Sequence, residues 1–352
     1  MPAIERPAHT AMPGNVLAEG RGFAPVTDRL IATGHVTAPA TQNRLCAHPI
    51  RPIMVPLWLG AERRGVDLGA HALEAGLRAR WERRKDGERA KRTLQTITVP
   101  TLEPAIADTL LDQRSMAFLD EIATACQDVA DEVAGAIVRD ELAVVLGGDH
   151  ALAAGSIAGA SAASGQLGLL WFDSHADMNT PSTSPTGHVH GMSLASALGD
   201  GPPQLTHLAK SVPAVSDGAT CLLGVRDLDP AERAEIAERG IWMLTMEEWH
   251  DIGIGVGVAR ALTYLTLQGV AAVHMSFDLD VLDPQIMPGT GTPIVGGLTY
   301  REASEVMRRV RVWNGPIRSV DWVELNPTLD PSGRSTETAI SLLATLLGES
   351  MR

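Results

Sequence analysis

Leu167-Gly168-Leu169-Leu170-Trp171-Phe172 runs directly into Asp173-Ser174-His175-Ala176-Asp177, and this junction decides the fold. A short run without a charge, closed by a polar cluster, reads as a strand covered on both faces. A second junction of the same kind follows about a hundred residues later, where Val270 to Phe277 leads into Asp278-Leu279-Asp280. Alternate side chains of an extended backbone share a face, so Asp173, His175 and Asp177 are expected to point one way, as are Asp278 and Asp280. Carboxylates and an imidazole crowded together repel unless they are protonated or bound to cations. The two junctions therefore read as a metal site.

Short apolar runs alternate with helix-period segments from Pro52 onward. The candidate strands are Ile53–Leu57, Leu94–Val99, Leu142–Leu146, Leu167–Phe172, Thr220–Val225, Ile241–Leu244, Val270–Phe277 and Ile317–Val323. The clearest helix spans about Asp112 to Val138, with Leu119, Ile122, Cys126, Val129, Val133 and Ile137 at spacings of three or four. Asp229-Pro230 followed by Gly240 marks a helix start and stop, and Thr245 to Glu248 and Thr299 to Glu302 have capping-box spacing. Strands alternating with helices predict an α/β fold of three layers, with a parallel eight-stranded sheet covered on both faces. The domain organisation expected is an N-terminal extension over residues 1–50, rich in Pro, Ala, Thr and Gly, followed by one catalytic domain over residues 51–352.

Composition narrows the function. A formal net charge of −13 argues against nucleic acid and anionic membrane surfaces as partners. Cys46, Cys126 and Cys221 are three, widely spaced and without a C-x-x-C pair, so a reducing cytoplasm is the expected compartment. No apolar run reaches membrane-spanning length.

In a parallel sheet, ligands bind beyond the carboxyl ends of the strands. Polar clusters sit at several such ends: Gly147-Gly148-Asp149-His150, Asp173 to Asp177, Arg226-Asp227-Leu228-Asp229, Asp278 to Asp283, and Glu324. His150, Asp173, His175, Asp177, Asp278 and Asp280 form a set of oxygen and imidazole donors without sulfur, which suits Mn²⁺ and similar ions. Its four carboxylates balance two divalent cations, so a dinuclear site is electrostatically sensible.

These motifs, Gly147 to His150, Asp173 to Pro181 and Ser276 to Pro284, resemble the metal motifs of the arginase/agmatinase (ureohydrolase) family, and the likeness covers roughly Pro52 to Gly348. That family folds as a parallel eight-stranded sheet flanked by helices. The resemblance implies two Mn²⁺ ions, one on His150, Asp173, Asp177 and Asp278, the other on Asp173, His175, Asp278 and Asp280. It implies that a hydroxide bridging them attacks the guanidinium carbon of the substrate, giving urea and an amine. His190 matches the family's proton-shuttle histidine, and Glu324 matches the glutamate that holds the guanidinium.

The loop after Asp177 bears on the substrate. Asn179 and Thr186 resemble the arginase donors to the α-carboxylate of arginine, Thr186 keeping the hydroxyl of a serine. His188 departs from the asparagine usual there. Asp229 matches the aspartate that recognises the α-amino group and also fits a helix N-cap. The expectation is hydrolysis of L-arginine to L-ornithine and urea, with agmatinase or guanidinobutyrase activity as the alternative. Tyr300-Arg301-Glu302 resembles a subunit-interface segment, so a homotrimer or homohexamer is expected.

Overall fold

The computed structural model describes residues 45, 47–61, 63–83, 96–101 and 116–349. The expected extension over residues 1–50 therefore lies almost wholly outside the described residues, as does Cys46. In chain order the elements are β1 (Ile50–Val55), α1 (Asp67–Arg83), β2 (Ile97–Thr98), α2 (Leu119–Val138), β3 (Leu142–Gly147), α3 (Ala153–Ser164), β4 (Leu167–Phe172), α4 (Ser193–Ala197), α5 (Pro203–Thr206), β5 (Thr220–Val225), α6 (Pro230–Arg239), β6 (Trp242–Thr245), α7 (Met246–Ile252), α8 (Ile254–Leu267), β7 (Ala272–Asp278), α9 (Tyr300–Val312), β8 (Ile317–Val323) and α10 (Arg334–Leu346). No described helix is long and apolar enough to cross a membrane.

The eight strands form one sheet in the order β2-β1-β3-β8-β7-β4-β5-β6, and every neighbouring pair is parallel. Alternation along the strands explains the apolar runs. Leu142, Val144 and Leu146 of β3, with Leu170 and Phe172 of β4, enter one core beneath α1 and α7 to α10. Ala143, Val145, Leu169 and Trp171 enter the other, beneath α2, α3, α4 and α6. Both faces are thus dry, which is why polar residues gather at the strand ends. The centre of the sheet, β3-β8-β7-β4-β5, brings five of those ends side by side.

Two glycine contacts show how tightly the layers meet. A Cβ on Gly155 or Gly159 of α3 would stand 2.2 Å from the Cys126 carbonyl oxygen or 2.3 Å from that of Ala130, so α2 and α3 touch backbone to backbone. A Cβ on Gly148 would stand 1.7 Å from the Leu57 carbonyl oxygen, pressing the end of β3 onto the loop after β1. The capping boxes are present: Thr245 and Thr299 each exchange bonds with Glu248 and Glu302.

Several expected boundaries shift by one or two residues, and three differ more. The helix anticipated from Asp112 begins at Leu119; Asp112 to Ser115 lie outside the described residues, and Met116 and Phe118 hold positive φ angles of 56° and 61°, which break the helical path. The strand expected over Leu94–Val99 is a two-residue edge strand, with Leu94 and Gln95 outside the described residues. At β1 the strand starts at Ile50, because Ile50 to Val55 pair along the whole of β3.

Candidate metal centre and substrate pocket

The carboxyl ends of β3, β4, β5, β7 and β8 deliver the candidate residues to one cavity. It has a volume of about 210 Å³ and its lining includes His175, Asp177, Asp278, His190 and Glu324. The same wall continues through Asn179, Thr186, His188, Asp229 and Glu232 to Arg63.

Two groups of side chains could each hold a cation: His150 with Asp173 and Asp278, and Asp173 with His175 and Asp280. Asp173 belongs to both, whereas Asp278 falls in the first alone. Asp177 joins the first group, its Oδ2 lying 3.1 Å from His150 Nδ1. That nitrogen is also 3.1 Å from Asp278 Oδ2 and 3.3 Å from Asp173 Oδ2, yet it makes no hydrogen bond. His150 Nε2 lies 2.8 Å from Ser276 Oγ, so a proton on Nε2 leaves the Nδ1 lone pair facing three carboxylates. One nitrogen lone pair and converging carboxylate oxygens, all buried, repel one another and suit a divalent cation between them. The second group is similar: His175 Nδ1 stands 3.0 Å from Asp280 Oδ2 and 3.5 Å from Asp173 Oδ1. The donors therefore fit two metal ions.

The route to this convergence differs from simple extended alternation. β4 ends at Phe172, and Asp177 adopts a left-handed backbone with φ of 51°, which turns its carboxylate back toward His150. Aspartate tolerates that conformation better than most residues. Asp280 sits in a 3₁₀ turn, Leu279–Val281, whose start Asp278 caps by accepting the Asp280 N–H at 2.8 Å. Glu324, just past β8, also has a positive φ of 66°. Two site residues thus hold left-handed backbone.

Electrostatics follow from burial and pairing. Burial lowers the His150 and His175 pKa values, but the surrounding aspartates outweigh it and raise both well above the ordinary value. Burial, then the neighbouring aspartates, push Asp278 well up; Asp177 is also raised, by burial and Asp173. Burial and the Glu324 charge bring Asp149 up to about 6; its carboxylate accepts the Gly60 and Ala151 N–H groups at 2.9 Å each, anchoring the loop after β1. His190 is pulled down by burial and lifted further by Glu324, to about 9, with Nδ1 3.3 Å from Glu324 Oε1. Glu324 Oε1 also accepts the His150 N–H at 2.8 Å.

Farther out, Asn179 Nδ2 donates to Asp229 Oδ2 at 2.8 Å while its Oδ1 accepts from Thr183. Thr186 Oγ1 accepts the His188 N–H at 3.2 Å, and the His188 ring lies 5.9 Å from that of His190. Asp229 occupies the N-cap position of α6, and its N–H donates to Glu232 Oε2. Burial pushes Glu232 up to about 7, although it also accepts the Met178 N–H.

Several residues here were not singled out from the sequence. Ser276 and Trp171 lie two positions before Asp278 and Asp173 on their strands, a spacing that places each on the ligand's face. Trp171 stacks on His150 with ring centroids 4.2 Å apart and donates from Nε1 to Asp173 at 3.1 Å. Glu232 stands three residues after Asp229, the capping-box spacing. Thr292, which donates to Asp280 Oδ2 at 3.1 Å, and Arg63, exposed in the loop after β1, carry no sequence signal.

Comparison with known proteins agrees with this geometry. The arginase family profile matches residues 50–348. The arginase of Bacillus caldovelox is 38% identical over 310 residues, covering 86% of this chain and 99% of that relative. Its native crystal structure superposes with a TM-score of 0.78 at 36% identity, covering 87% of this chain and 100% of the other. The structure of Entamoeba histolytica arginase in complex with L-ornithine gives 0.75 at 28% identity, covering 85% and 98%. This chain belongs to the arginase family.

Proposed function

We propose that this protein hydrolyses L-arginine to L-ornithine and urea at a dinuclear manganese centre. The observation that carries this reading is one cavity lined by Asp278 and His175, a member of each His/Asp group, together with His190, Glu324 and the donor side chains of Asn179, Thr186 and His188. The relatives with this fold include an arginase solved with L-ornithine.

His150, Asp173, Asp177 and Asp278 would hold one cation, and Asp173, His175, Asp278 and Asp280 the other. The chemistry supplied by two such bound cations is the acidification of water, which yields a nucleophile near pH 7. Glu324 grips the planar guanidinium, whose N–H groups match a carboxylate. Oε1 is committed to the His150 N–H and His190, which leaves Oε2 for the substrate. As the C–O bond forms at the guanidinium carbon and the bond to the side-chain nitrogen breaks, that nitrogen needs a proton. His190, lifted to about 9 by Glu324, carries one at neutral pH and donates it to the leaving amine.

At the amino-acid end, one N–H of Asn179, the Thr186 hydroxyl and the His188 imidazole serve the α-carboxylate, while Asp229 and Glu232 face the α-amino group. Arg63 adds a permanent positive charge to a lining otherwise dominated by carboxylates. Agmatine has no carboxylate to use these donors. A homotrimer or homohexamer fits the exposed Tyr300 and Arg301 at the start of α9. The test is product analysis: manganese-loaded protein incubated with L-arginine yields urea and ornithine in equal amounts. Absence of urea at full manganese occupancy would refute the reading.

A further inference from the structure

Arg226 follows β5 and its guanidinium donates only to backbone carbonyls. Nη2 reaches Asp280 O at 2.7 Å, Ile294 O at 2.8 Å and Leu282 O at 3.4 Å. Nη1 reaches Gly224 O at 3.3 Å and Val281 O at 3.4 Å, and Nε reaches Val295 O at 3.2 Å. Among the described residues no carboxylate forms an ion pair with it, although its charge lies in the field of Asp280, Asp173, Asp283 and Asp278. A planar guanidinium with five fixed N–H groups spent on carbonyls acts as a rigid template for backbone.

The segments it joins are informative. Carbonyls 280 to 282 belong to the turn that presents Asp280, and carbonyls 294 and 295 close the loop carrying Thr292, whose hydroxyl donates to Asp280 Oδ2. The neighbouring backbone continues the brace, since the Arg226 N–H donates to Ser174 O while Ser174 donates through both N–H and Oγ to Asp280 Oδ1. All of this converges on Asp280, a member of the His175 group. None of the Arg226 contacts reaches His150, Asp177 or Asp278.

We propose that Arg226 is the positioning residue for the Asp280 half of the centre, and that it governs retention of the ion on the His175 side selectively. The proposal rests on the dinuclear reading above. Sign separates positioning from simple electrostatics. The guanidinium is a cation beside a cation site, so a purely electrostatic role makes its removal tighten metal binding. A positioning role makes its removal weaken binding, because the oxygen of Asp280 drifts from its partners.

The experiment is manganese titration of the metal-free protein by calorimetry, with electron paramagnetic resonance to distinguish a coupled ion pair from an isolated ion. Arg226→Met keeps the aliphatic stem, and Arg226→Lys keeps the charge with fewer donors, so one of the two carries the test where the other folds poorly. Expected is a loss of affinity for one of the two ions of roughly 10- to 100-fold, with the other changed less than threefold and the coupled signal replaced by that of an isolated ion. In a His175→Asn background Arg226→Met then leaves the affinity of the remaining ion unchanged, because both substitutions act on the same site. Unchanged or tighter binding, or equal weakening of both ions, overturns the proposal. Uptake of only one ion by the unaltered protein overturns the dinuclear reading, and the proposal with it.

Discussion

Asp173→Asn is the substitution that bears hardest on the site. The amide has nearly the volume of the carboxylate, so the packing of Asp173 under Trp171 and beside His150 survives and no cavity is made. What changes is charge, at the one residue common to both His/Asp groups. A unit charge about 4 Å from a divalent ion, at an effective dielectric constant of about 20, contributes on the order of 8 kcal/mol of attraction. If the amide oxygen and entering water recover half, about 4 kcal/mol is lost per ion, roughly a thousandfold in Kd for each. The assay is bound manganese per chain after dialysis against buffer with micromolar metal, beside thermal unfolding of loaded and metal-free samples. The unaltered protein retains two ions; the variant retains neither, and added manganese no longer raises its Tm. Retention of either ion at near-normal affinity would refute the claim that Asp173 is shared.

The remaining expectations concern Asp278, Glu324, the proposed amino-acid end and pH. Asp278→Asn also weakens both ions, because the family resemblance makes Asp278 a second bridge; an intact His175-side ion in metal analysis would confine Asp278 to the His150 group. Glu324→Gln removes the charge proposed to face the guanidinium, which also lifts His190, so kcat/KM for arginine falls by at least about a hundredfold while two ions stay bound; a fall below tenfold would count against the assignment. His188→Asn and Arg63→Gln each change KM for arginine by several-fold with metal content unaltered, whereas an unchanged KM removes that residue from the substrate site. Manganese binding at these groups is also expected to release protons, since the surrounding aspartates raise the pKa values of His150 and His175 without metal and a ligating imidazole is neutral. Affinity therefore rises with pH, by up to about tenfold per unit for each proton released. Calorimetry in buffers of different ionisation enthalpy measures that number, and pH-independent binding would contradict it.

The sheet was legible because its strands are dry on both faces: Leu167–Phe172, Thr220–Val225 and Ile317–Val323 match the observed bounds residue for residue. The edge strand was placed within Leu94–Val99 but its extent was not legible, because the two residues of β2 carry no periodicity to read. The candidate residues could be read from the strand ends, but the way they converge could not. Extended alternation would aim Asp177 and Asp280 correctly only in a straight chain. The actual backbone uses a left-handed residue at Asp177 and a 3₁₀ turn at Asp280. Contacts with backbone acceptors were invisible for a related reason: the carbonyls that hold Arg226 belong to residues whose side chains say nothing of them. Ser276 and Trp171 lie between these extremes, since the period-two rule that picked out Asp278 and Asp173 as candidates would also have picked out their partners.

The most direct measurement is the ratio of kcat/KM values for urea release by the manganese-loaded protein from L-arginine, agmatine and 4-guanidinobutyrate. An amino-acid end built from Asn179, Thr186, His188, Asp229, Glu232 and Arg63 predicts that L-arginine is favoured over both. A higher value for agmatine or 4-guanidinobutyrate would contradict the assignment of the substrate.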